Sequence, residues 1–297
     1  MVTAMSYDFR DKVIAVTGGA GGIGSAMCRR FASSGAQCVV IDIDEVRAKK
    51  VAEELPGGGH LGIGCDLMDW ARIEQVLERI GEEYGRLDVL VNNVGMTSTE
   101  RFDERDIASI EREITLNTTS PLVTTRLAIP LLWKSRDPRV ISTVSIAGIF
   151  PLGETPVYCA SKFGLRGAML AIGLDLREKG ILVGSVLPSA TDTPMLRREA
   201  VEGGNSMQFQ EPPQQPSDVV AAAVSMLDKP RLEAYARPSE SWTTRLAMLV
   251  PNLLPKILPL FRKRGDRGMV RYLEDLERRG LARRNGGSWE LVPERAG

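Results

Sequence analysis

Histidine is nearly missing from these 297 residues: there is one, His60. A Ser-His-Asp hydrolase, or any enzyme using histidine as its acid and base, would have to rest on that single ring. It stands in Gly57-Gly58-Gly59-His60, a loop entering a strand, and reads as a solvated loop residue. Cysteine is sparse as well. Cys28, Cys38, Cys65 and Cys159 are widely spaced, with no CxxC pair and no Cys/His cluster, which excludes a structural zinc and suits a reducing, cytoplasmic compartment. Net charge is absent, with 38 basic and 38 acidic residues, so nothing global points to nucleic acid. No signal-like apolar core precedes the first strand, and no repeat of solenoid period is visible.

What is present is a chain that is 43% hydrophobic, enough for a large core. Its length suits one α/β domain of about 250 residues plus an appendage. Short apolar runs alternate with helix-period segments. Strands are expected at Val13–Val16, Cys38–Asp42, Leu61–Cys65, Leu87–Val91, Arg139–Val144, Ile181–Val186 and near Leu232–Ala236. Helices are expected at 22–34, 45–55, from an Asp69 cap to Tyr84, at 156–179 and at 217–227. Asp103 to Lys134 reads as two helices interrupted near Pro121, with a kink at Pro130. Residues 189–216, rich in Pro, Gln and Gly, read as a long loop of the kind that forms lids. The alternation implies a doubly wound parallel seven-stranded sheet, Rossmann-like, over residues 1–238.

Two features carry chemistry. The turn Thr17-Gly18-Gly19-Ala20-Gly21-Gly22-Ile23-Gly24 follows a strand and opens a helix. Glycines there let the backbone approach a ligand, and the helix N-terminus favours a pyrophosphate. Asp42 ends the second strand, where a carboxylate accepts from a ribose diol and repels a 2′-phosphate. No Arg or Lys lies within the turn to offset that repulsion, so NAD is favoured over NADP. Further on, Tyr158 and Lys162 are i and i+4 on one helix and share a face. A phenol of ordinary pKa, about 10, is a poor base near neutrality. The Lys162 ammonium is expected to lower it and to hold the nicotinamide ribose. Ser145, at the end of the fifth strand, can donate to a substrate oxygen.

The spacing Thr17-Gly18-xxx-Gly22-x-Gly24, the segment Asn92-Asn93-Val94-Gly95, and Ser145 with Tyr158-Cys159-Ala160-Ser161-Lys162 together resemble the short-chain dehydrogenase/reductase superfamily over about residues 8–237. The resemblance implies Asn117, Ser145, Tyr158 and Lys162 as the catalytic set, with Asn117 holding a water of the proton relay. It implies Asp66 and Leu67 at the adenine, Asn93 and Gly95 along the adenosine, and Pro188, Thr191 and Thr193 at the nicotinamide. Ser189 and Val94 depart from the usual glycine and alanine. It also implies a homodimer or homotetramer paired through the helices 116–134 and 156–179, with Phe163, Leu165, Leu170 and Leu174 as seam residues.

Residues 239–297 form an extension. Its run 242–261 is strongly apolar and ends in Arg262-Lys263-Arg264. It is shorter than a spanning helix needs, and Pro251, Pro255 and Pro259 are expected to break it. Two readings stand: an interfacial anchor making peripheral membrane contact through 242–264, or a cover over the active site or a sister subunit. Both suit a lipophilic small-molecule substrate. A charged helix is expected at 269–284. The leading function is an NAD(H)-dependent oxidoreductase of secondary alcohols and ketones. The competing ones are an NADPH-linked carbonyl reductase and a non-catalytic dinucleotide-binding regulator.

Overall fold

A computed structural model describes residues 7–293. Seven strands form one parallel sheet: β1 Val13–Thr17, β2 Gln37–Asp42, β3 Leu61–Gly64, β4 Val89–Asn92, β5 Arg139–Thr143, β6 Leu182–Leu187 and β7 Glu233–Tyr235. Their order is β3-β2-β1-β4-β5-β6-β7, so the direction of winding reverses between β1 and β4. That reversal opens a crevice beyond the carboxyl ends of the strands, where ligands of such sheets bind.

The helices cover both faces. On one side, α1 (Gly22–Ala32) and α8 (Pro216–Asp228) bury Met27, Phe31, Val219 and Ala223 against Ile14, Val16 and Val40. On the other, α3 (Trp70–Tyr84), α5 (Ser120–Leu132) and α6 (Pro156–Glu178) pack Ile73, Ile80, Leu132 and Met169 on Ala15, Leu90 and Val140. Each such fully buried Ile, Leu or Met contributes roughly 1.5–3 kcal/mol. In α3 the apolar residues Ile73, Val76, Leu77 and Ile80 recur at helical spacing and are all buried. Asp69 caps it by accepting from Arg72 N, and Gly85 ends it at φ 74°.

Several expectations need correction. The segment before Lys134 divides into α4 (Ile107–Ile114) and α5 through a π-helical turn at Thr115–Thr119. Pro121 does not break it, because proline lies in the first turn of α5, yet it withholds an N–H from the Asn117 carbonyl four residues back, and the ladder widens there. Pro130 is accommodated inside α5, which runs on to Leu132. Residues 189–216 are not a plain loop: they contain α7 (Pro194–Val201) and a 3-10 turn at Ser206–Phe209. His60 is not simply solvated. Its Nδ1 accepts from Cys38 N at 3.1 Å and its Nε2 reaches Pro56 O at 3.1 Å, pinning the loop to β2.

The apolar run is interrupted at Pro251, as expected, but not at Pro255 or Pro259. The extension forms α9 (Pro238–Ala247), a 3-10 turn at Pro251–Leu253, and α10 (Leu254–Arg278). Pro255 falls in the first turn, where its missing N–H is harmless, and Pro259 is tolerated one turn later. The charged helix is thus the second half of α10, and it stops at Arg278. A hairpin follows, β8 (Ala282–Asn285) and β9 (Ser288–Leu291), turning on Gly286 and Gly287, both at positive φ.

The extension has its own core. Tyr272, Leu273, Leu276 and Ala282 bury against Leu196, Ala200 and Phe209. Gly265 and Gly268 bring α10 against the backbone of the 3-10 turn: a methyl at Gly265 would sit 2.5 Å from Ser206 O, and one at Gly268 would overlap Phe209 O. Asp192, itself buried, ties the layers together. It accepts from Arg197 Nε at 2.8 Å and Tyr272 OH at 2.8 Å and pairs with Arg279 at 2.7 Å. Burial raises the Asp192 pKa, but hydrogen bonds from Arg197, Tyr272 and Arg279 outweigh it and hold the carboxyl below the ordinary range. Among the described residues no helix is long and apolar enough to cross a membrane.

Candidate active site

One cavity of 1460 Å³ runs along the carboxyl ends of the strands, from Asp42 on β2 to α10. Its first half follows the β1–α1 turn. Gly18 takes φ 60°, and its carbonyl lies so close to Gly24 that a methyl on Gly24 would overlap it. A methyl on Gly22 would stand 2.9 Å from the Thr193 side chain. Only bare backbone leaves room for a polyanion here, and α1 aims its N-terminus at the space. Ser189 Oγ and Thr97 Oγ1, both buried on the cavity wall, have no protein partner. A glycine cradle, unpartnered hydroxyls and an acid at the β2 end together fit a dinucleotide.

Gly18, Gly22, Ile23, Asp42, Asp66, Leu67, Asn93 and Gly95 all line this half, and Pro188, Thr191 and Thr193 line its middle. Thr17 and Gly24 do not reach the wall; they support it. Thr17 Oγ1 accepts from Asn93 N at 2.9 Å, joining β1 to β4. Asn93 Nδ2 reaches the carbonyls of Thr17 and Gly18, and its Oδ1 accepts from Thr143 on β5. Asp42 Oδ2 accepts from Ala20 N at 3.1 Å. Arg47, in the first turns of α2 (Glu45–Glu54), donates to Ala20 O at 3.2 Å and lines the same corner. A scan confined to the glycine turn misses this cation, which lies five residues past Asp42.

The second half holds the reactive group. Ser145 caps a 3-10 turn just after β5, accepting from Ala147 N at 3.1 Å. Tyr158 and Lys162, one turn apart on α6, face it across the cavity. Lys162 Nζ donates to Thr143 O at 3.2 Å and lies 5.7 Å from the centre of the Tyr158 ring. The expected priming of the phenol by this ammonium does not appear in the protein alone. Burial raises the Tyr158 pKa, the Ser145 hydroxyl opposes it, and the charges of Glu199 and Glu113 add to the rise. Burial also pushes Lys162 down to about 8. The ammonium stays largely charged near neutrality, but its Nζ is turned to the Thr143 carbonyl.

Asn117 lies beneath, in the π turn, fully buried. Its Oδ1 accepts from Met96 N at 2.8 Å and its Nδ2 donates to Met96 O and Ser161 Oγ. The side chain therefore anchors the segment after β4. Nearby, Glu113 is buried in an ion pair with Arg105, one carboxylate oxygen lacking a partner. Burial raises its pKa against the pull of Arg105.

Beyond Tyr158 the walls turn apolar. Met96, Phe150, Leu152, Met195, Leu196 and Met207 meet Leu254, Ile257, Leu258 and Phe261 of the extension. Of the two readings of the extension, the structure displays the cover over this chain's own cleft. Two acids line the chamber: Glu199 on α7, bonded by Gln208 Nε2 at 2.9 Å, and Glu211, paired with Arg264 of the extension. Of the expected seam residues, Leu165 is buried against its own sheet, whereas Phe163 and Leu174 are exposed.

A sequence model of the short chain dehydrogenase family matches residues 12–202. The 2,5-dichloro-2,5-cyclohexadiene-1,4-diol dehydrogenase of Sphingobium indicum is 33% identical over 193 residues, 64% of this chain and 77% of its own. L-fucose dehydrogenase of Bos taurus is 34% identical over 234 residues, 74% of this chain and 84% of its own. Among solved structures, a short chain dehydrogenase/reductase from Burkholderia phymatum in complex with NAD shares the fold. Its TM-score is 0.76 at 20% identity, over 83% of this chain and 96% of the other. The family match ends before the extension begins.

Proposed function

We propose, from the premise that this chain belongs to the short-chain dehydrogenase family, that it interconverts a secondary alcohol and its ketone on a lipophilic substrate, using NAD(H). The observation that carries the reading is the meeting of a glycine cradle, a Ser145–Tyr158 pair and an apolar chamber in one cavity.

A nicotinamide dinucleotide bound along the cradle supplies the hydride acceptor for oxidation and the donor for reduction. Gly18, Gly22, Ile23 and the α1 N-terminus hold its phosphates; Asp42 takes the ribose diol; Asp66, Leu67, Asn93 and Gly95 flank the adenosine; Pro188, Thr191 and Thr193 take the other end. Ser145 donates to the substrate oxygen and holds it against Tyr158. In oxidation Tyr158 accepts the hydroxyl proton, and in reduction it returns one. Lys162 steadies the neighbouring ribose, and its charge lowers the phenol once it turns from Thr143 O. The Asn117 amide is engaged by Met96 and Ser161, so the relay water falls to its main-chain carbonyl.

NAD preference rests on the carboxylate of Asp42. Arg47 beside it favours a second reading, an NADPH-linked reductase, because a guanidinium can pair with a 2′-phosphate. Parallel titrations decide: NAD binding at least about tenfold tighter than NADP, with Asp42→Ala narrowing the gap, supports the first. Tighter NADP binding, lost in Arg47→Ala, supports the second. Exposed Phe163 and Leu174 on α6, with Trp133 after α5, support a homo-oligomer paired through these helices. The activity itself is tested by a panel of lipophilic alcohols and ketones followed at the nicotinamide absorbance. Binding of the dinucleotide without turnover on any of them would replace the enzyme by a regulator.

A further inference from the structure

We propose that the outward face of α9 and the first turns of α10 docks on an anionic lipid bilayer, and that substrate passes from that bilayer into the chamber. The loading clause rests on the dehydrogenase reading above; the docking face does not.

Helix α9 has two working sides. Ser239, Thr243 and Ala247, one turn apart, line the chamber. Trp242 and Leu246 lie a step round the helix and Leu249 follows in the turn just past its end; they are 73%, 68% and 75% exposed. Across the 3-10 turn, Leu260 on α10 is 77% exposed, while Leu254, Ile257 and Leu258 on the same helix face inward to the cavity. Isolated exposed leucines are ordinary; a contiguous row with a tryptophan on the rim of a cavity marks an interaction surface. The apolar row is continuous with the chamber mouth, because the same two helices form both.

Charge selects the occupant. From residue 241 to residue 265 there are five basic residues and no acidic one. Arg245, Arg262 and Arg264 pair with Glu233, Glu154 and Glu211 of the catalytic body. Lys256 and Lys263 are exposed beside the apolar row. Two copies meeting through this face would be related by a two-fold axis, which brings two faces of the same positive sign together. An anionic headgroup layer meets the lysines with opposite charge, and its acyl boundary accepts the tryptophan and leucines. Since no described helix can cross a bilayer, the contact is interfacial.

The test is flotation of the full chain with vesicles of phosphatidylcholine alone and of phosphatidylcholine mixed with phosphatidylglycerol. Capture by the anionic vesicles should exceed that by neutral ones at least about tenfold. Lys256→Glu with Lys263→Glu should erase that difference. The triple change Trp242→Ser, Leu246→Ser, Leu249→Ser should abolish capture by both. None of these residues lines the cavity, so turnover of a small water-soluble alcohol should be unchanged, whereas the KM for a vesicle-borne lipophile should rise about tenfold in the triple variant. Lipids brominated on the acyl chain should quench tryptophan fluorescence, and Trp242→Phe should remove the quenching while retaining capture. If anionic vesicles fail to capture a chain that turns over the soluble alcohol, the docking face is wrong and the dehydrogenase reading stands. A dimer that the triple variant dissociates, with no vesicle capture, overturns the proposal in favour of self-association. Capture without turnover of any alcohol leaves the docking face standing and removes the enzyme and its loading.

Discussion

The two ends of the cleft are built from different material. The dinucleotide end is made of backbone: Gly18, Gly22 and Gly24 matter for the side chains they lack, and Asn93 links the ends of β1, β4 and β5. The substrate end is made of side chains from α7, the 3-10 turn and α10, with Met96, Phe150 and Leu152 from the segments after β4 and β5, none of which belongs to the sheet. The first can change only by breaking, since atoms added at Gly18 and Gly24 meet main chain and one at Gly22 meets Thr193 at 2.9 Å. The second can change by exchange, since methionines and leucines trade volume at modest cost. On the proposed reading, chemistry is fixed where the sheet ends, and selectivity is set by the chain laid over it.

The sharpest way to test that division is at the boundary between the halves. Tyr158→Phe should lower turnover about a thousandfold while leaving the dinucleotide Kd within about threefold. A larger loss of binding would mean that the ring is part of the cradle. Burial raises the wild-type phenol pKa, so oxidation, which needs phenolate, should still climb with pH through the alkaline range. Reduction, which needs the phenol, should hold level until the same group ionises.

The next largest effect belongs to the backbone half. Gly24→Ala forces a methyl onto Gly18 O and should weaken dinucleotide binding about a hundredfold, measured by fluorescence titration, if the protein still folds. On the other half, Asp192→Ala removes three partners of a buried carboxylate. It should cost about 2–3 kcal/mol, less than a fully enclosed pair because Arg279 is partly solvated. Because the folded Asp192 pKa is depressed, its contribution is present above the ordinary carboxylate range. It is lost as pH falls through the folded value, so calorimetry of the wild type in acid should approach the variant. The smallest change is Leu258→Ala, which should raise the KM for a lipophilic substrate about tenfold and leave a short-chain alcohol unaffected. Equal losses on both substrates would erase the proposed contrast between the halves.

The same contrast decides what could be read from the sequence. The sheet was legible because β-strands buried on both faces are continuous apolar runs, as in Val39-Val40-Ile41. The cradle was legible because glycines between a strand and a helix have few other uses. Arg47 was not, since its role depends on a turn of α2 folding back on Ala20. Glu199 and Gln208 were not, because nothing local distinguishes them from solvated residues. The extension misled through two of its prolines: Pro255 and Pro259 suggest breaks, and only the placement of α10 shows that the first falls at the helix start and the second is accommodated one turn inside it. The hairpin after Arg278 had a signal, Gly286-Gly287 followed by the alternating Ser288-Trp289-Glu290-Leu291, but the run before it, Ala282-Arg283-Arg284-Asn285, lacks the alternating apolar face that identifies a strand.

Gly265 and Gly268 press α10 directly onto the main chain of Ser206–Phe209. The substrate wall and the C-terminal helix are consequently one mechanical piece. A chain shortened near Arg237 would not be a leaner catalyst with a wider mouth: it would strip the backing from the turn that carries Met207 and leave the apolar floor of the chamber open to water.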